Sequence, residues 1–249
     1  MEHGRQQTPA NARDAEPCHM MEIPHLDHFG RILVIAPHPD DEVLGCGGTI
    51  ARLRDHGHDV HVAIVTTGKP PQFPTSLVTQ IRNELDAAHE VWGGTTKHYL
   101  DLPAAALDTI GAAQINDSVA EVIDRVEPTT VFTPFFGDLH VDHQLVFNAT
   151  LVACRPRSAA TPRIVLAYET LSETNWAAPP ITPGFQPNVF VDISDSLERK
   201  LGAFSKFASQ LKLFPDERSL DTIRALAQLR GSTVFRPAAE AYMLLRTII

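Results

Sequence analysis

Short apolar runs alternate along this chain with longer segments in which apolar residues recur at helical spacing. The apolar runs predict six strands, at residues 32–36, 60–67, 97–100, 129–134, 164–168 and 189–193. The helical spacing predicts helices at residues 42–56, 76–92, 108–126, 141–154, 195–213 and 219–231. Alternation of this kind, with short connections, predicts an α/β fold: a Rossmann-like domain whose mostly parallel sheet is covered by helices on both faces. We expect the last strand to lie nearer an edge of the sheet.

The 249 residues suit a single domain, and no linker or internal repeat divides them. Residues 1–30 lack an apolar run and predict a flexible N-terminal tail, which leaves residues 31–249 as the folded domain. Residues 175–187 contain four prolines and predict an ordered surface loop that can form a wall of a substrate pocket.

Acidic residues outnumber basic residues by 30 to 21, which gives a net charge of −9. This balance disfavours a nucleic-acid surface, because phosphate binding relies on clustered Lys and Arg, and it favours a small-molecule partner. No segment has the length and apolarity of a signal peptide or membrane span, and three widely spaced cysteines form no disulfide pattern. We therefore expect a cytoplasmic protein with no membrane partner. The sequence does not determine the oligomeric state, and a homo-oligomer is one of the states that it allows.

The segment between the first predicted strand and the first helix carries the first group of candidate functional residues. It reads Ala-Pro-His-Pro-Asp-Asp-Glu over residues 36–42. Ligands bind at this edge of open α/β sheets. His38 and Asp41 are three residues apart across the predicted turn, so an imidazole and a carboxylate can meet there with Asp40 beside them.

A second group, His140-Val141-Asp142-His143, follows the fourth predicted strand and should emerge at the same edge of the sheet. Histidine and aspartate side chains make a ligand set favoured by zinc, and three protein ligands leave a coordination position open for catalysis. The sequence therefore predicts a catalytic divalent metal site. An isolated Asp-Asp pair at a helix start more often caps the helix, and an isolated pair of histidines in a loop is more often solvated. The two motifs together favour the metal site.

These two motifs and the order of the elements between them resemble the PIG-L/LmbE family of zinc-dependent N-acetylglucosaminyl deacetylases. Weaker similarities occur at Arg82, Glu84, Leu102-Pro103, Pro187-Asn188, Arg218-Ser219, Arg230-Gly231 and Ala239-Glu240. The resemblance covers most of residues 31–249.

The resemblance implies one zinc ion per chain, with three ligands: His38, Asp41 and His143. It implies that Asp40 is the general base and that His140 assists the tetrahedral intermediate and the leaving amine. Asp142 resembles a carboxylate that orients a neighbouring histidine. The chemistry agrees with these roles, since amide hydrolysis at neutral pH needs an activated water and a nearby base.

The implied substrate is a small N-acetylated amino sugar, similar to N-acetylglucosamine and carrying a glycosidic, nucleotide or otherwise anionic extension. Arg82 is a candidate for binding that extension, although a helix-surface arginine more often pairs with an acid. Two other functions remain open at this point. One is an amidase that acts on a thiol-sugar conjugate or an antibiotic intermediate. The other is a receiver-type phosphoacceptor domain that binds magnesium through its acidic pair.

Overall fold

The computed structural model describes residues 26–178 and 180–249, and these form one layered α/β domain. Its seven strands are β1 (Ile32–Ala36), β2 (Val60–Thr67), β3 (Thr96–Pro103), β4 (Thr130–Pro134), β5 (Ile164–Tyr168), β6 (Val189–Asp192) and β7 (Ala239–Thr247). Six α-helices lie in the described ranges: α1 (Asp41–Asp55), α2 (Thr75–Glu90), α3 (Ala112–Val126), α4 (Val141–Ala153), α5 (Leu197–Phe204) and α6 (Leu220–Ser232).

All seven strands form one sheet in the order β3-β2-β1-β4-β5-β7-β6. The first five strands are parallel to one another, and β7 runs antiparallel to both of its neighbours. The predictions of a mostly parallel sheet and of β6 as an edge strand are confirmed. The strand order reverses at β1, which lies between β2 and β4, and ligands bind at such a reversal in open α/β sheets.

Alternate residues of the central strands point to opposite faces of the sheet, and each face is covered by helices as predicted. Ile32, Val34 and Ala36 belong to an apolar cluster with side chains of α1, α2, α5 and α6. Leu33 and Ile35 point the other way, into a cluster with α3 and α4. Every residue of β1 is fully buried, so the turn that follows it is held on a rigid base.

The glycines of α1 allow this helix to pack closely on its neighbours. A Cβ atom at Gly45 would lie 2.2 Å from a ring carbon of Tyr168, and one at Gly48 would lie 2.7 Å from Ile193. These contacts leave no room for a side chain at either position, so glycine is needed for the close packing of α1.

Strand β7 was not predicted, and its composition explains why. Residues 239–246 consist mainly of Ala, Glu, Met, Leu and Arg, which favour helices in isolation. The strand forms because it fits between β5 and β6 and satisfies hydrogen bonds on both sides.

The helix predicted over residues 195–213 is also shorter than expected, because α5 ends at Phe204. Beyond it, the buried Glu84 carboxylate accepts hydrogen bonds from the Ser209 backbone N–H at 3.1 Å and from its hydroxyl at 2.5 Å. These bonds favour a turn over a continued helix. Residues 205–219 thus form a loop that crosses the carboxyl end of the sheet.

The predicted N-terminal tail lies outside the described residues except at its end, where Leu26–Phe29 forms a 3-10 turn. The Phe29 ring stacks on Phe132 with centroids 6.2 Å apart, so these last residues belong to the folded domain rather than to a flexible tail. Within the described ranges, no helix combines the length and apolarity needed to cross a membrane.

Candidate metal centre and active site

The turns that follow β1 and β4 lie side by side, because these two strands are neighbours in the sheet. The register pairs Ile32 with Thr130 and Val34 with Phe132, so both strands end at the same level. His38 follows β1, and His140 precedes α4, which begins at Val141. The structure therefore brings the two sequence motifs together at the carboxyl end of the sheet, where the strand order reverses.

Two imidazole rings converge on one carboxylate oxygen at this edge. The Asp41 Oδ2 atom lies 3.3 Å from His38 Nδ1 and 3.2 Å from His143 Nε2. Asp41 and His143 are buried, and the Nε2 atom of His143 has no hydrogen-bond partner among the described residues. A buried nitrogen without a partner is costly, and a metal ion among these three donors would satisfy it. The donor set and its convergence therefore fit a divalent metal.

Two further carboxylates hold the imidazole rings in place. Asp142 Oδ2 lies 3.0 Å from His38 Nε2, and Asp138 Oδ2 lies 2.8 Å from His143 Nδ1. Each contact occupies the ring nitrogen that faces away from Asp41, so the other nitrogen keeps its lone pair for a metal. Asp142 is itself held by the backbone N–H groups of Ala105 and Leu107, at 2.7 and 3.2 Å.

The electrostatics of this cluster favour a positive charge at its centre. Burial disfavours a charged His38 ring, but hydrogen bonds to Asp142 and Asp41 raise its pKa to about 9. Burial likewise opposes charge on His143, yet the carboxylates of Asp41 and Asp138 raise its pKa to about 10. Since metal ions and protons compete for the same nitrogens, we expect the affinity for a metal to fall as the pH is lowered.

Removal of the carboxylate beside His143 should weaken metal binding without removing a ligand. We expect Asp138→Ala to lower zinc affinity by roughly 10- to 100-fold, the usual effect of losing the partner that orients a ligating histidine. Asp138→Asn should lose less, because its amide oxygen can still accept the hydrogen bond from Nδ1. Chelator competition measures both affinities. Wild-type affinity in Asp138→Ala would show that this contact does not support the metal site.

Asp40 occupies a strained backbone position between β1 and α1. Its φ of 108° lies in the left-handed region, which is costly for a residue with a side chain and is often found at functional sites. Its backbone N–H donates to Glu42 Oε2 at 3.1 Å, and its side chain makes no capping hydrogen bond to α1. The carboxylate is thus available for a role other than capping the helix.

The carboxylate of Asp40 instead contacts Arg218, which comes from the loop after α5. Arg218 Nη1 lies 3.0 Å from Asp40 Oδ2 and donates to Gln210 Oε1 at 2.9 Å, while its Nε donates to Ser172. Burial raises the pKa of Asp40 to about 8. The positive charge of Arg218 acts in the opposite direction, because it favours the carboxylate form. A divalent cation beside Asp41 would favour that form further.

His140 lies next to His38, Asp41 and His143, and its hydrogen bond determines which ring nitrogen carries the proton. Its centroid lies 4.6 Å from that of His38, and its Nδ1 accepts a hydrogen bond of 3.1 Å from the Asp142 backbone N–H. Burial lowers the pKa of His140, and its charged neighbour His38 lowers it further, so the neutral ring is favoured. A neutral ring that accepts through Nδ1 carries its proton on Nε2, as a donor.

A cavity of about 240 Å³ opens beside these residues. It is lined by His38, Pro39, Asp40, Ile64, Thr66, Thr67, Gly68, Phe73, Val78, Ile81, Arg82, Tyr99, Ala104, Ala105, His140, Glu173, Gln210 and Arg218. No described residue of the proline-rich loop 175–187 is among them, so that loop does not form the expected wall. Instead its Phe185 packs edge-to-face on Phe135, with centroids 5.3 Å apart.

Arg82 lines this cavity but is paired with an acid. Its Nη2 lies 2.6 Å from Asp101 Oδ1, and its guanidinium lies 4.9 Å from the centroid of the Tyr99 ring. Both partners are partly exposed, so the pair is accessible to a ligand.

Sequence reasoning did not find three features of the site: the contact of Asp138 with His143, the contact of Arg218 with Asp40, and Glu173 in the cavity wall. The sequence did contain a signal for Asp138. This acid lies five residues before His143, in the loop that leads into α4. Arg218 was only a weak similarity to the family and Glu173 carried no signal, since each reaches the cavity from a loop whose path depends on the whole fold.

Comparison with known proteins places the site within a matched region. Residues 33–154 match the family model PIG-L, described as GlcNAc-PI de-N-acetylase. This region contains both histidine motifs and the strands that hold them.

The chain is similar to proteins of known or named activity over most of its length. It is 32% identical to an uncharacterized deacetylase, YaiS, of Escherichia coli, over 72% of this chain and 90% of that protein. It is 30% identical to the 1D-myo-inositol 2-acetamido-2-deoxy-alpha-D-glucopyranoside deacetylase of Kineococcus radiotolerans, over 57% of this chain and 49% of that protein. In structure it resembles the N,N'-diacetylchitobiose deacetylase of Pyrococcus horikoshii, with a TM-score of 0.68, 21% identity, and coverage of 87% and 84% of the two chains.

Proposed function

This chain belongs to the PIG-L family, and from that premise we propose that it is a zinc-dependent hydrolase that removes the acetyl group from an N-acetylglucosamine-like amino sugar. The observation that carries the proposal is the convergence of His38, Asp41 and His143 beside a cavity whose lining includes His38 and Asp40. The relatives named as deacetylases of acetamido sugars support the substrate class. We assign the activity to a domain spanning residues 31–249.

The proposed cofactor is one zinc ion per chain, held by His38, Asp41 and His143. When bound there, zinc would polarise the acetyl carbonyl and lower the pKa of water to about 7. The protein supplies the shape of the site. Asp142 and Asp138 fix the two imidazoles, and the buried Asp41 supplies the negative charge that attracts a cation.

Asp40 is proposed as the general base. Its carboxylate accepts a proton from the attacking water as the water oxygen bonds to the carbonyl carbon of the acetyl group. Arg218 holds the carboxylate toward the cavity through the 3.0 Å contact. Since Asp40 is not needed as a metal ligand, its lone pairs remain available for this proton transfer.

His140 is proposed to stabilise the charge that develops on the acetyl oxygen. Its Nε2–H can donate to that oxygen, because the Asp142 backbone N–H occupies Nδ1. Collapse of the tetrahedral intermediate then breaks the bond between carbon and nitrogen. The nitrogen takes the proton that Asp40 accepted, with the assistance of His140, and acetate and the free amino sugar are released.

The proposed substrate carries an extension beyond the sugar, and Arg82 lies where such a group can bind. Together with Asp101 it offers hydrogen-bond donors and an acceptor at the mouth of the cavity. The sugar would occupy the part of the cavity nearest the metal ligands, and the extension would select the natural substrate.

The role proposed for Arg82 can be tested by comparing substrates. We expect Arg82→Ala to lower kcat/KM for an extended substrate by roughly tenfold or more, and for free N-acetylglucosamine much less, because only the former uses the lost contact. Arg224→Ala is the matched control, since Arg224 forms an exposed ion pair with Glu198 on the surface. Equal losses on both substrates would contradict a role in binding the extension.

Acetate release from a panel of N-acetyl amino sugars tests the proposed function itself. We expect zinc-loaded protein to release one acetate for each amine formed, with N-acetylglucosamine derivatives among the substrates. An alternative amidase on a thiol-sugar conjugate or antibiotic intermediate uses the same metal residues, so the panel should include N-acyl compounds that are not sugars. Efficient cleavage of these alone would overturn the sugar assignment.

A further inference from the structure

Two arginines line the cavity, and each is already paired with an acid. Arg82 contacts Asp101 at 2.6 Å, and Arg218 contacts Asp40 at 3.0 Å. An anionic group arriving at either guanidinium would compete with a carboxylate that is held in place. The cavity therefore offers no unpaired arginine, among the residues that the structure describes, to a phosphate or carboxylate on the substrate.

Glu173 adds a carboxyl group to the same wall. It lies in the loop after β5 and lines the cavity, where burial raises its pKa while the positive charges of His143 and Arg218 lower it. Its backbone position is fixed, because its N–H donates to the Thr170 carbonyl and its own carbonyl accepts from the Leu139 N–H. When ionised, an acid in this wall disfavours an anionic ligand, because like charges that are brought together repel.

The wall formed by α2 is apolar. Val78 and Ile81 are three residues apart on one side of the helix, and Phe73 comes from the turn that precedes it. These three side chains are partly exposed and line the cavity that contains His38, Asp40 and His140. Apolar surface exposed in a cavity gains free energy when an apolar group covers it.

We propose that the amino sugar carries an uncharged, apolar or aromatic group at its anomeric carbon, which packs against Phe73, Val78 and Ile81, and that Glu173 discriminates against anionic groups. The inference rests on the proposed deacetylase function. The anomeric carbon is bonded to the carbon that bears the acetamide, so a substituent there stays within the same cavity as the reacting bond. Of the glycosidic and anionic extensions considered from the sequence, this cavity favours the glycosidic one.

Three substrates test the proposal on zinc-loaded protein: phenyl N-acetylglucosaminide, free N-acetylglucosamine and N-acetylglucosamine 1-phosphate. We expect kcat/KM for acetate release to be roughly 10- to 100-fold higher for the phenyl glycoside than for the free sugar, the range that burial of an aromatic ring provides. The phosphate should be the poorest of the three.

Two variants separate the apolar wall from the acid. Ile81→Ala should lower the ratio of kcat/KM for the phenyl glycoside to that for the free sugar. Glu173→Gln should raise the kcat/KM for the phosphate, relative to that for the phenyl glycoside, by roughly tenfold. The variant removes the like charge but keeps the shape of the side chain. The controls are Leu229→Ala, an exposed leucine of α6, and Glu121→Gln, an exposed acid on α3 on the other face of the sheet.

The outcomes separate this inference from the proposed function. Acetate release that is fastest from the phosphate, or substrate ratios that are unchanged in both variants, would overturn the inference and leave the deacetylase function standing. No acetate from any of the three sugars would overturn the proposed function, and this inference with it.

Discussion

Asp40→Asn is expected to lower kcat by about 10²–10⁴, the range typical for loss of a general acid or base, while the protein keeps its metal and its fold. Asparagine matches the shape of aspartate and tolerates the left-handed backbone at this position better than most residues, so the strained turn should survive. Its neutral amide cannot accept the proton from water. The expected signature is therefore a loss in rate at unchanged zinc content.

Measurement of kcat together with metal content distinguishes this role from coordination. A fitting comparison is Glu42→Gln, which changes the neighbouring buried acid that hydrogen-bonds to the Asp40 backbone and to His89. That variant should disturb the turn but keeps the Asp40 carboxylate, so its loss in kcat should be smaller than that of Asp40→Asn. If Asp40→Asn released zinc and Asp41→Asn retained it, the roles of these two aspartates would have to be exchanged.

His143→Ala is expected to lose both metal and activity. The variant removes a proposed ligand and leaves the Asp138 carboxylate buried without its imidazole partner, so zinc content should fall well below one ion per chain. Metal assistance contributes several kcal/mol to the reaction, so the expected loss in kcat/KM is at least about 10³-fold. His38→Ala and Asp41→Ala should behave in the same way.

Elemental analysis of purified protein, with circular dichroism to check the fold, measures this effect. His56→Ala is the control, because His56 is an exposed histidine at the end of α1, outside the cluster. Full zinc content in His38→Ala, Asp41→Ala and His143→Ala would contradict the assignment of these residues as zinc ligands. Loss of zinc in His56→Ala as well would point to surface binding of the metal.

The parts of the site that the sequence predicted are those in which neighbours in the chain are neighbours in space. His38 and Asp41 are joined by one short turn, and His140 and His143 lie at the start of one helix, so their spacing alone indicated that they could converge. Adjacent positions of β1 and β4 in the sheet then brought the two motifs together, as expected for strands that end at one edge.

The parts that could not be predicted depend on contacts between distant residues. Arg218 approaches Asp40 across 178 positions of sequence, on a loop that the apolar pattern assigned in part to a helix. That loop exists because Glu84 binds the backbone of Ser209 and ends the helical path, and no local pattern indicates this contact. Strand β7 was missed for a similar reason, since the sheet imposes an extended form on residues that favour a helix.

The pairing of Arg82 shows how the structure changes an interpretation of the sequence. The sequence left two roles open for Arg82, binding of an anionic extension and pairing with an acid, and the 2.6 Å contact with Asp101 shows the pairing. The proposed preference for an uncharged extension rests on this pair together with Glu173.

Acetate release from phenyl N-acetylglucosaminide, before and after zinc is removed with a chelator and then restored, tests the metal mechanism. We expect the chelated protein to lose activity, about one equivalent of zinc per chain to restore it, and Asp40→Asn to stay inactive at the same zinc content. Undiminished acetate release from chelated, zinc-depleted protein would contradict the metal mechanism. Release of no acetate from amino sugars by the zinc-loaded enzyme, with rapid cleavage of a different amide, would contradict the proposed substrate.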